Sequence, residues 1–95
     1  MNKNIGIYWI RNEITNKRYI GGSTNVKETL INHKNLLKRG EHPNAPLQEE
    51  YNKCNLDDFE FKIISNCPDF LLKTMESSFI EFYKDRCYNI RKELY

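Results

Sequence analysis

The first segment of the chain, residues 5–11, alternates between two largely apolar faces. One face carries two Ile residues and a Trp, and the other carries Gly, Tyr and Ile. A period of two indicates a β-strand, and this composition predicts that both faces are buried. Residues 11–16 carry turn-forming side chains, and residues 17–21 predict a second strand that completes a β-hairpin. In that hairpin Tyr8 and Tyr19 approach the same surface if the register pairs them.

A helical period follows the glycine- and serine-containing turn. Residues 26–39 predict a helix, because Asn25 and Glu28 have the spacing of a capping pair and Gly40 is a typical C-terminal residue. The apolar stripe of this helix consists of Val26, Leu30, His33 and Leu37. A basic stripe about a quarter-turn away consists of Lys27, Lys34 and Lys38.

The second half of the chain contains three further elements. Its patterns predict a helix over 44–53, a strand over 58–65 and a long helix over 70–85 that Asp69 caps. Residues 87–90 are expected to return as a short extended segment. The resulting order, β-β-α-α-β-α, is that of an α+β domain.

Composition limits what the chain can be. Its 95 residues make one domain, residues 1–95, and twelve aromatic side chains supply enough bulk for a core. A net charge of +2 permits nucleic-acid binding without requiring it, since strong binders usually have an isoelectric point above about 9. The sequence predicts no transmembrane helix and no secretory signal.

Three cysteines, Cys54, Cys67 and Cys87, are widely spaced along the chain. An odd number at this spacing argues against a disulfide framework and against a Cys-x-x-Cys zinc site. The sequence therefore predicts reduced thiols and an intracellular, cytoplasmic protein.

A carboxylate occupies the apolar stripe of the last helix. Glu76 lies between Leu72, Phe79 and Tyr83 at helical spacing. An ionised carboxylate among apolar side chains costs several kcal/mol unless something pairs with it. Periodicity leaves open three readings: Glu76 reaches solvent at the edge of the helix, it is paired or protonated, or it holds Mg²⁺ through its oxygens.

The roles of His33 and of the basic stripe are also undecided when each is considered alone. A histidine in the centre of an apolar stripe is more often a hydrogen-bonded core residue than a catalyst. Lysines at helical spacing are more often a solvated helix face than a nucleic-acid contact. His42, in a polar loop beside Pro43, carries no signal of its own.

Two tripeptides favour the functional interpretation of these residues over the structural one. Gly6-Ile7-Tyr8 and Tyr19-Ile20-Gly21 place their tyrosines eleven positions apart, and the chain resembles the GIY-YIG nuclease family in this pairing. The resemblance extends over nearly the whole chain. The matching positions are, in order, Tyr8, Tyr19, Gly21, His33, His42, Asn44, Leu47-Gln48, Glu76 and Tyr88-Asn89-Ile90.

The resemblance implies a fold and a chemistry. The fold is a small three-stranded antiparallel sheet flanked by helices, and the activity is metal-dependent hydrolysis of phosphodiester bonds, with DNA as the expected substrate. Glu76 is then the ligand of one Mg²⁺ or Mn²⁺ ion, which neutralises the scissile phosphate. Tyr19 takes part in activating water, while Tyr8 and His33 accept or orient a proton.

The remaining roles also follow from the resemblance. It implies that His42 contacts the phosphate or the reacting oxygen of the substrate. It turns the basic stripe into a backbone-tracking surface for nucleic acid. That surface consists of Lys27, Lys34, Lys38 and Arg39.

One position departs from the family pattern. The family expects an arginine four residues before His33, where this chain has Thr29. Threonine has neither the charge nor the reach of a guanidinium that stabilises the transition state. Protonated His33 is a partial substitute, but it could not then act as a base. Other cations that could substitute are Lys17, Arg86 and Arg91; Arg18 is expected to face the opposite side of its strand from Tyr19.

Three functions remain in competition at this point. The first is an endonuclease weakened by the loss of the arginine. The second is a catalytically silent domain that binds nucleic acid or a protein partner, as an adaptor or inhibitor. The third is a protein-interaction module, against which a costly carboxylate at position 76 argues.

Overall fold

The computed structural model of this chain describes residues 4–89, apart from the side chain of Leu56. Its strands and helices follow the predicted order β-β-α-α-β-α. They are β1 (Gly6–Asn12), β2 (Arg18–Ser23), α1 (Val26–Arg39), α2 (Ala45–Lys53), β3 (Phe59–Asn66) and α3 (Leu72–Phe82). The predicted α+β class is confirmed, because the three strands form one antiparallel sheet with the order β2-β1-β3.

The register of the β1–β2 hairpin places the two motif tyrosines on one face of the sheet. Tyr8 pairs with Gly21, and Ile10 pairs with Tyr19. Residues directly opposite each other share a face, and so do alternate residues of one strand. The side chains of Tyr8 and Tyr19 therefore project from the same face, as the hairpin prediction required.

The two faces of the sheet carry different layers. On the face of Tyr8 and Ile10, α1 and α2 cover a core formed by Ile10, Leu37, Leu47, Phe59 and Tyr88. Full burial of such side chains contributes about 1.5–3 kcal/mol each. On the other face, the end of α3 brings Tyr83 edge-on against Trp9, with ring centroids 5.7 Å apart. The sheet is thus sandwiched between α1 and α2 on one side and α3 on the other.

Helix α1 has the bounds that the sequence predicts, because both of its ends are fixed by local hydrogen bonding. The Asn25 side chain accepts a hydrogen bond from the amide of Glu28 at 3.4 Å. At the other end Gly40 is left-handed, with φ of 72°, and its amide is bonded to the last turn of the helix. Glycine adopts this conformation without the penalty that a Cβ atom imposes.

The predictions for the last helix are partly wrong. Helix α3 is shorter than residues 70–85, because 3₁₀ turns at Asp69–Leu71 and Lys84–Arg86 flank it. Asp69 does not cap it by its side chain, since it lies inside the first of these turns. After the second turn Cys87 forms a parallel bridge with Arg18, which agrees with a returning extended segment. Ile90, at the end of that predicted segment, lies outside the described residues.

A candidate active site at the edge of strand β2

Tyr8 is held against strand β2 by the absence of a side chain at position 21. The tyrosine is buried, with 4% of its surface exposed. A Cβ atom at Gly21 would collide with the Tyr8 hydroxyl. Glycine at this position therefore lets the phenol of one strand lie over the backbone of the next, with its hydroxyl at the β2 side of the sheet.

Two histidines continue from Tyr8 in a chain of short hydrogen bonds. The Tyr8 hydroxyl lies 2.7 Å from Nε2 of His33, which α1 directs at the sheet. Nδ1 of His33 lies 2.7 Å from Nε2 of His42, in the loop before α2. Nδ1 of His42 accepts a hydrogen bond from the Asn44 amide at 3.0 Å. Both ring nitrogens of His33 and both of His42 therefore have a hydrogen-bond partner within the protein.

Tyr19 completes the aromatic part of the cluster. Its ring lies edge-on to both histidines, with centroid distances of 5.3 Å to His33 and 5.5 Å to His42. The side chain of Asn89 donates to and accepts from the backbone of Ile20, at 2.9 Å in each case. These two bonds secure the free edge of β2 next to Tyr19. A cavity of about 290 Å³ opens here, between Tyr19, Pro43, Asn44 and Asn89.

Glu76 approaches the same tyrosines from α3. Burial raises the pKa of Tyr8 well above its usual value, and the neighbouring Tyr19 and Glu76 raise it further. The pKa of Tyr19 is also raised, by burial first and then by Glu76. The electrostatic effect of Glu76 on both phenols means that α1, β1, β2 and α3 contribute to one site.

The Glu76 carboxylate itself is half-buried, and burial raises its pKa while Lys73 lowers it. Within residues 4–89 no group donates a hydrogen bond to this carboxylate or forms an ion pair with it. The same part of the chain contains no group of three or more His, Cys, Asp or Glu side chains placed to share a metal ion. A single carboxylate fits Mg²⁺ or Mn²⁺, hard ions that retain most of their water ligands.

The histidines carry no charge at neutral pH. Burial, together with the neighbouring His42, lowers the pKa of His33 to about 4. Burial also lowers the pKa of His42, an effect that its hydrogen bond with Asn44 partly offsets. The described cluster therefore holds one negative charge, on Glu76, and no positive charge among its tyrosines and histidines.

Comparison with known proteins agrees with this arrangement. No family model and no curated protein sequence matches the chain, but solved structures do. The catalytic domain of the homing endonuclease I-TevI, a GIY-YIG enzyme, superposes with a TM-score of 0.82 at 30% sequence identity, over 93% of this chain and 99% of that one. The chain belongs to the GIY-YIG endonuclease family. A glutamate-to-alanine variant of the catalytic domain of intron endonuclease I-TevI gives a TM-score of 0.80 at 30% identity, over 92% of this chain and 93% of that one.

Within this GIY-YIG domain, Thr29 is engaged locally. Its hydroxyl lies 2.7 Å from the hydroxyl of Ser23, at the end of β2. The Ser23 oxygen also accepts a hydrogen bond from the Asn25 amide at 2.9 Å. Thr29 therefore contributes to the turn between β2 and α1 and supplies no charge to the cluster.

The cations predicted as substitutes for an arginine lie elsewhere in the GIY-YIG domain. The Lys17 ammonium sits over the Tyr88 ring at 5.1 Å, and Arg86 donates to the Thr15 carbonyl at 3.4 Å. Both contacts are near the turn of the β1–β2 hairpin, whereas Tyr8 pairs near the other end of β2. Arg18 faces away from Tyr19 as predicted, stacked between the rings of Trp9 and Tyr83. Arg91 lies outside the described residues.

The predicted nucleic-acid surface is on the opposite flank of α1 from Thr29. The Lys34 ammonium lies over the Phe61 ring of β3 at 4.8 Å. Lys27 lines a cavity of about 340 Å³ with other residues of α1 and β3, and Lys38 is exposed. Arg39 pairs with Glu41 at 3.0 Å at the end of the helix. These residues form one basic flank, but they do not join the cluster of tyrosines and histidines.

One residue of the site, Lys73, escaped sequence reasoning, and another, Gln48, was matched to the family without a role. Lys73 lies three positions before Glu76, on the adjacent turn of α3, and acts electrostatically on its carboxylate. The i,i+3 spacing was a visible signal for this neighbour. Gln48 is buried and accepts a hydrogen bond from the His42 amide at 3.0 Å, while its own amide donates to the Leu37 carbonyl at 3.1 Å. Nothing in the sequence alone assigns Gln48 this role.

Proposed function

We propose that this chain hydrolyses phosphodiester bonds of DNA with a divalent metal ion held by Glu76, at a rate that Thr29 lowers. One observation carries the proposal. Two tyrosines and a neutral histidine pair converge with a half-buried carboxylate that no described residue engages in a hydrogen bond or a salt bridge. A fold that leaves such a carboxylate unpaired gives up stability unless a ligand compensates.

The chemistry of the site follows from its charges. A Mg²⁺ or Mn²⁺ ion, when bound, supplies positive charge to the scissile phosphate and the leaving oxygen. Tyr19 orients the attacking water, and Tyr8 accepts a proton from it when in its phenolate form. The water oxygen bonds to phosphorus while the phosphorus–oxygen bond to the leaving sugar oxygen breaks. That oxygen takes a proton from a solvent water and leaves as a hydroxyl.

The raised pKa values of the two tyrosines show that the described site lacks positive charge next to their hydroxyl groups. Burial and the Glu76 charge both disfavour a phenolate, so the cluster requires added positive charge before either tyrosine can act as a base. In the family pattern an arginine at position 29 would add one such charge. Loss of a contact of this kind lowers rates by about 10²- to 10⁵-fold.

DNA is the proposed substrate, because the neighbouring structures are those of a homing endonuclease. The basic flank of Lys27, Lys34, Lys38 and Arg39 would follow the phosphate backbone outside the cluster. Binding of this kind weakens steeply as salt increases, since each neutralised phosphate releases counterions. Substitution of Lys27 and Lys38 by Gln should therefore reduce the salt dependence of DNA binding.

Cleavage of supercoiled plasmid DNA in Mg²⁺ and then in Mn²⁺ tests the proposal. One site per chain predicts nicked circles before linear product. Glu76→Ala should abolish nicking in both metals, whereas Glu81→Ala, at an exposed position five residues later in α3, should leave it unchanged. Cleavage that persists in Glu76→Ala, or without divalent ions, would refute the assigned role of the carboxylate.

A second candidate function rests on the bond between Thr29 and Ser23. If no other cation replaces the arginine, the domain is a silent member of the family that binds nucleic acid or a protein partner. That reading predicts salt-sensitive DNA binding without cleavage, and cleavage once Thr29→Arg is introduced. Absence of both cleavage and salt-sensitive binding, also in Thr29→Arg, would leave the protein-interaction module as the remaining reading.

We propose an intracellular location for this activity. Within residues 4–89, Cys54, Cys67 and Cys87 form no disulfide bond. Cysteines remain reduced in this way in reducing compartments. Among residues 4–89, no helix has both the length and the apolar character needed to cross a membrane.

A further inference from the structure

The histidine pair has a fixed direction of hydrogen bonding, and this direction begins at a backbone amide. The Asn44 amide can only donate, and its hydrogen bond ends on Nδ1 of His42. A neutral imidazole carries one proton, so that of His42 must lie on Nε2. Rotating the ring by half a turn would instead place a carbon opposite the Asn44 amide and leave that donor without its acceptor.

The same reasoning passes to the next ring. His42 Nε2 carries a proton and lies 2.7 Å from His33 Nδ1, so His33 must accept there. The proton of a neutral His33 is then on Nε2, which faces the Tyr8 hydroxyl at 2.7 Å. A doubly protonated His33 would point an N–H group at the N–H group of His42, and burial opposes that charge as well.

The loop that presents His42 is itself locked. Gln48 is 8% exposed and accepts a hydrogen bond from the His42 amide. The Gln48 amide group donates to the Leu37 carbonyl at the end of α1 and to the Asn52 side chain in α2. The Asn44 side chain accepts from the Leu47 amide at 3.0 Å at the start of α2. His42 therefore has a fixed backbone as well as a fixed ring.

We infer that His42 is a positioning residue that fixes His33 as a hydrogen-bond donor to the Tyr8 oxygen. This inference rests on the proposed function of the site. His33 then stabilises Tyr8 as a phenolate, because an N–H group aimed at an anionic oxygen forms a stronger, charge-assisted bond. It does not accept the Tyr8 proton, since its Nε2 already carries one.

The proton inventory at Tyr8 follows. The Tyr8 oxygen accepts from His33 on one side, so its own proton must leave on the other side, to water or bound substrate. In the hydrolytic step the phenolate takes a proton from the attacking water, which restores the neutral hydroxyl without any change at either histidine. The role differs from the direct substrate contact expected for His42, since this residue is 6% exposed and both of its ring nitrogens are hydrogen-bonded.

Nitrogen NMR of the protein labelled with ¹⁵N in its imidazole rings tests this without any assay of activity. His33 and His42 should both show a protonated Nε2 and an unprotonated Nδ1 at neutral pH. A scalar coupling across the hydrogen bond should connect His42 Nε2 to His33 Nδ1. A protonated Nδ1 on His33, or a charged ring on either residue, would overturn the inference.

Two variants separate positioning from general stability. His42→Phe removes the donor, so His33 should shift towards its Nδ1-protonated form, whereas His42→Gln can still donate and should preserve the Nε2-protonated form. An unchanged His33 spectrum in folded His42→Phe would contradict the inference. If His42→Phe does not fold, the coupling in the unmodified protein still decides.

Cleavage kinetics give a second readout on the same variants. His42→Phe should lower kcat about 10- to 100-fold, the range typical when a group that orients a reacting residue is lost, with little effect on KM. His42→Gln should recover most of this loss. Because the NMR result does not depend on cleavage, a wrong proton assignment and a wrong proposed function give different outcomes.

Discussion

The two halves of the site differ in how complete they are. In the histidine half, Tyr8, His33 and His42 satisfy one another, and the Asn44 amide ends the chain. In the carboxylate half, Glu76 has no donor among the described residues, and Thr29 is bonded to Ser23. The first half is organised before any ligand arrives, whereas the second awaits positive charge.

In the proposed mechanism, this contrast separates groups that are already aligned from groups that still need added positive charge. A preorganised hydrogen-bond chain aligns reacting groups at no further energetic cost when substrate binds. An unpaired carboxylate beside two tyrosines with raised pKa values does the opposite, since it disfavours the phenolate that hydrolysis needs. The balance between the halves is therefore set by the charge that a metal ion and nearby cations add.

The largest change should come from restoring the missing cation. Thr29→Arg should raise the rate of plasmid nicking in Mg²⁺ by about 10²- to 10⁵-fold, because a guanidinium would stabilise charge on the phosphate. The matched control is Thr29→Val, which keeps the side-chain shape but removes the hydroxyl bonded to Ser23. Equal rates for Thr29→Arg and Thr29→Val would show that the missing charge does not limit this site.

The next largest effect concerns stability in the histidine half. The folded pKa of His33 is about 4, below its ordinary value of 6.5. Between these values the unfolded chain binds more protons, so the free energy of unfolding should fall as pH decreases from 6.5 to 4. Each unit of pKa shift corresponds to about 1.4 kcal/mol, so the loss should reach about 3 kcal/mol.

Urea unfolding of the unmodified protein and of His33→Gln across this pH range isolates the contribution of His33 to stability. Glutamine does not titrate, so the variant should show a shallower dependence between pH 6.5 and 4. The stability of the variant should still depend on pH, because His42 also has a lowered pKa. Parallel curves for the two proteins would mean that His33 is not buried in its neutral form.

Sequence reasoning succeeded where the determining forces were local. Helix α1 spans residues 26–39 as predicted, because Asn25 and Gly40 fix its ends by bonds within a few residues. The prediction failed for α3, which ends at Phe82 although its apolar stripe extends to Tyr83 and the predicted helix to residue 85. The chain turns there so that Cys87 can bridge Arg18, and periodicity cannot report a tertiary contact of this kind.

The same distinction applies within the site. The residue spacing shared with the family brought together Tyr8, Tyr19 and His33, because the hairpin register and the stripe of α1 set their positions. It could not reveal the direction of the histidine hydrogen bonds. That direction depends on the backbone amide of Asn44. Almost every residue type has such an amide, so the sequence does not reveal where it donates.

A smaller effect should come from Lys73. It lowers the pKa of Glu76 and lies on the same helix as that carboxylate, although it was not among the predicted substitutes for the arginine. Lys73→Met should reduce the nicking rate by about fivefold, since one partly solvated charge contributes on the order of 1 kcal/mol. Lys53→Met, at the end of α2, is the control. A rate unchanged by Lys73→Met would exclude it as a contributor.

The smallest effect compares two glutamates of this chain. Hydrogen bonds from Trp9 and Arg11, both at 3.0 Å, lower the pKa of Glu60, whereas burial raises that of Glu76. At neutral pH the charge of Glu60 therefore stabilises the fold and that of Glu76 destabilises it. In urea unfolding at pH 7, Glu76→Gln should raise the free energy of unfolding by about 0.5–1 kcal/mol, and Glu60→Gln should lower it.

Metal ions sharpen this last comparison. Added Mg²⁺ should stabilise the unmodified protein through Glu76, because a ligand that binds the folded state alone shifts the unfolding equilibrium. The increment should disappear in Glu76→Gln and persist in Glu60→Gln. If Glu76→Gln instead destabilises the protein in the absence of metal, the carboxylate has a structural partner and the carboxylate half is complete without a ligand. If Glu76→Gln gains stability and loses cleavage, the charge of Glu76 is needed for activity although it destabilises the fold.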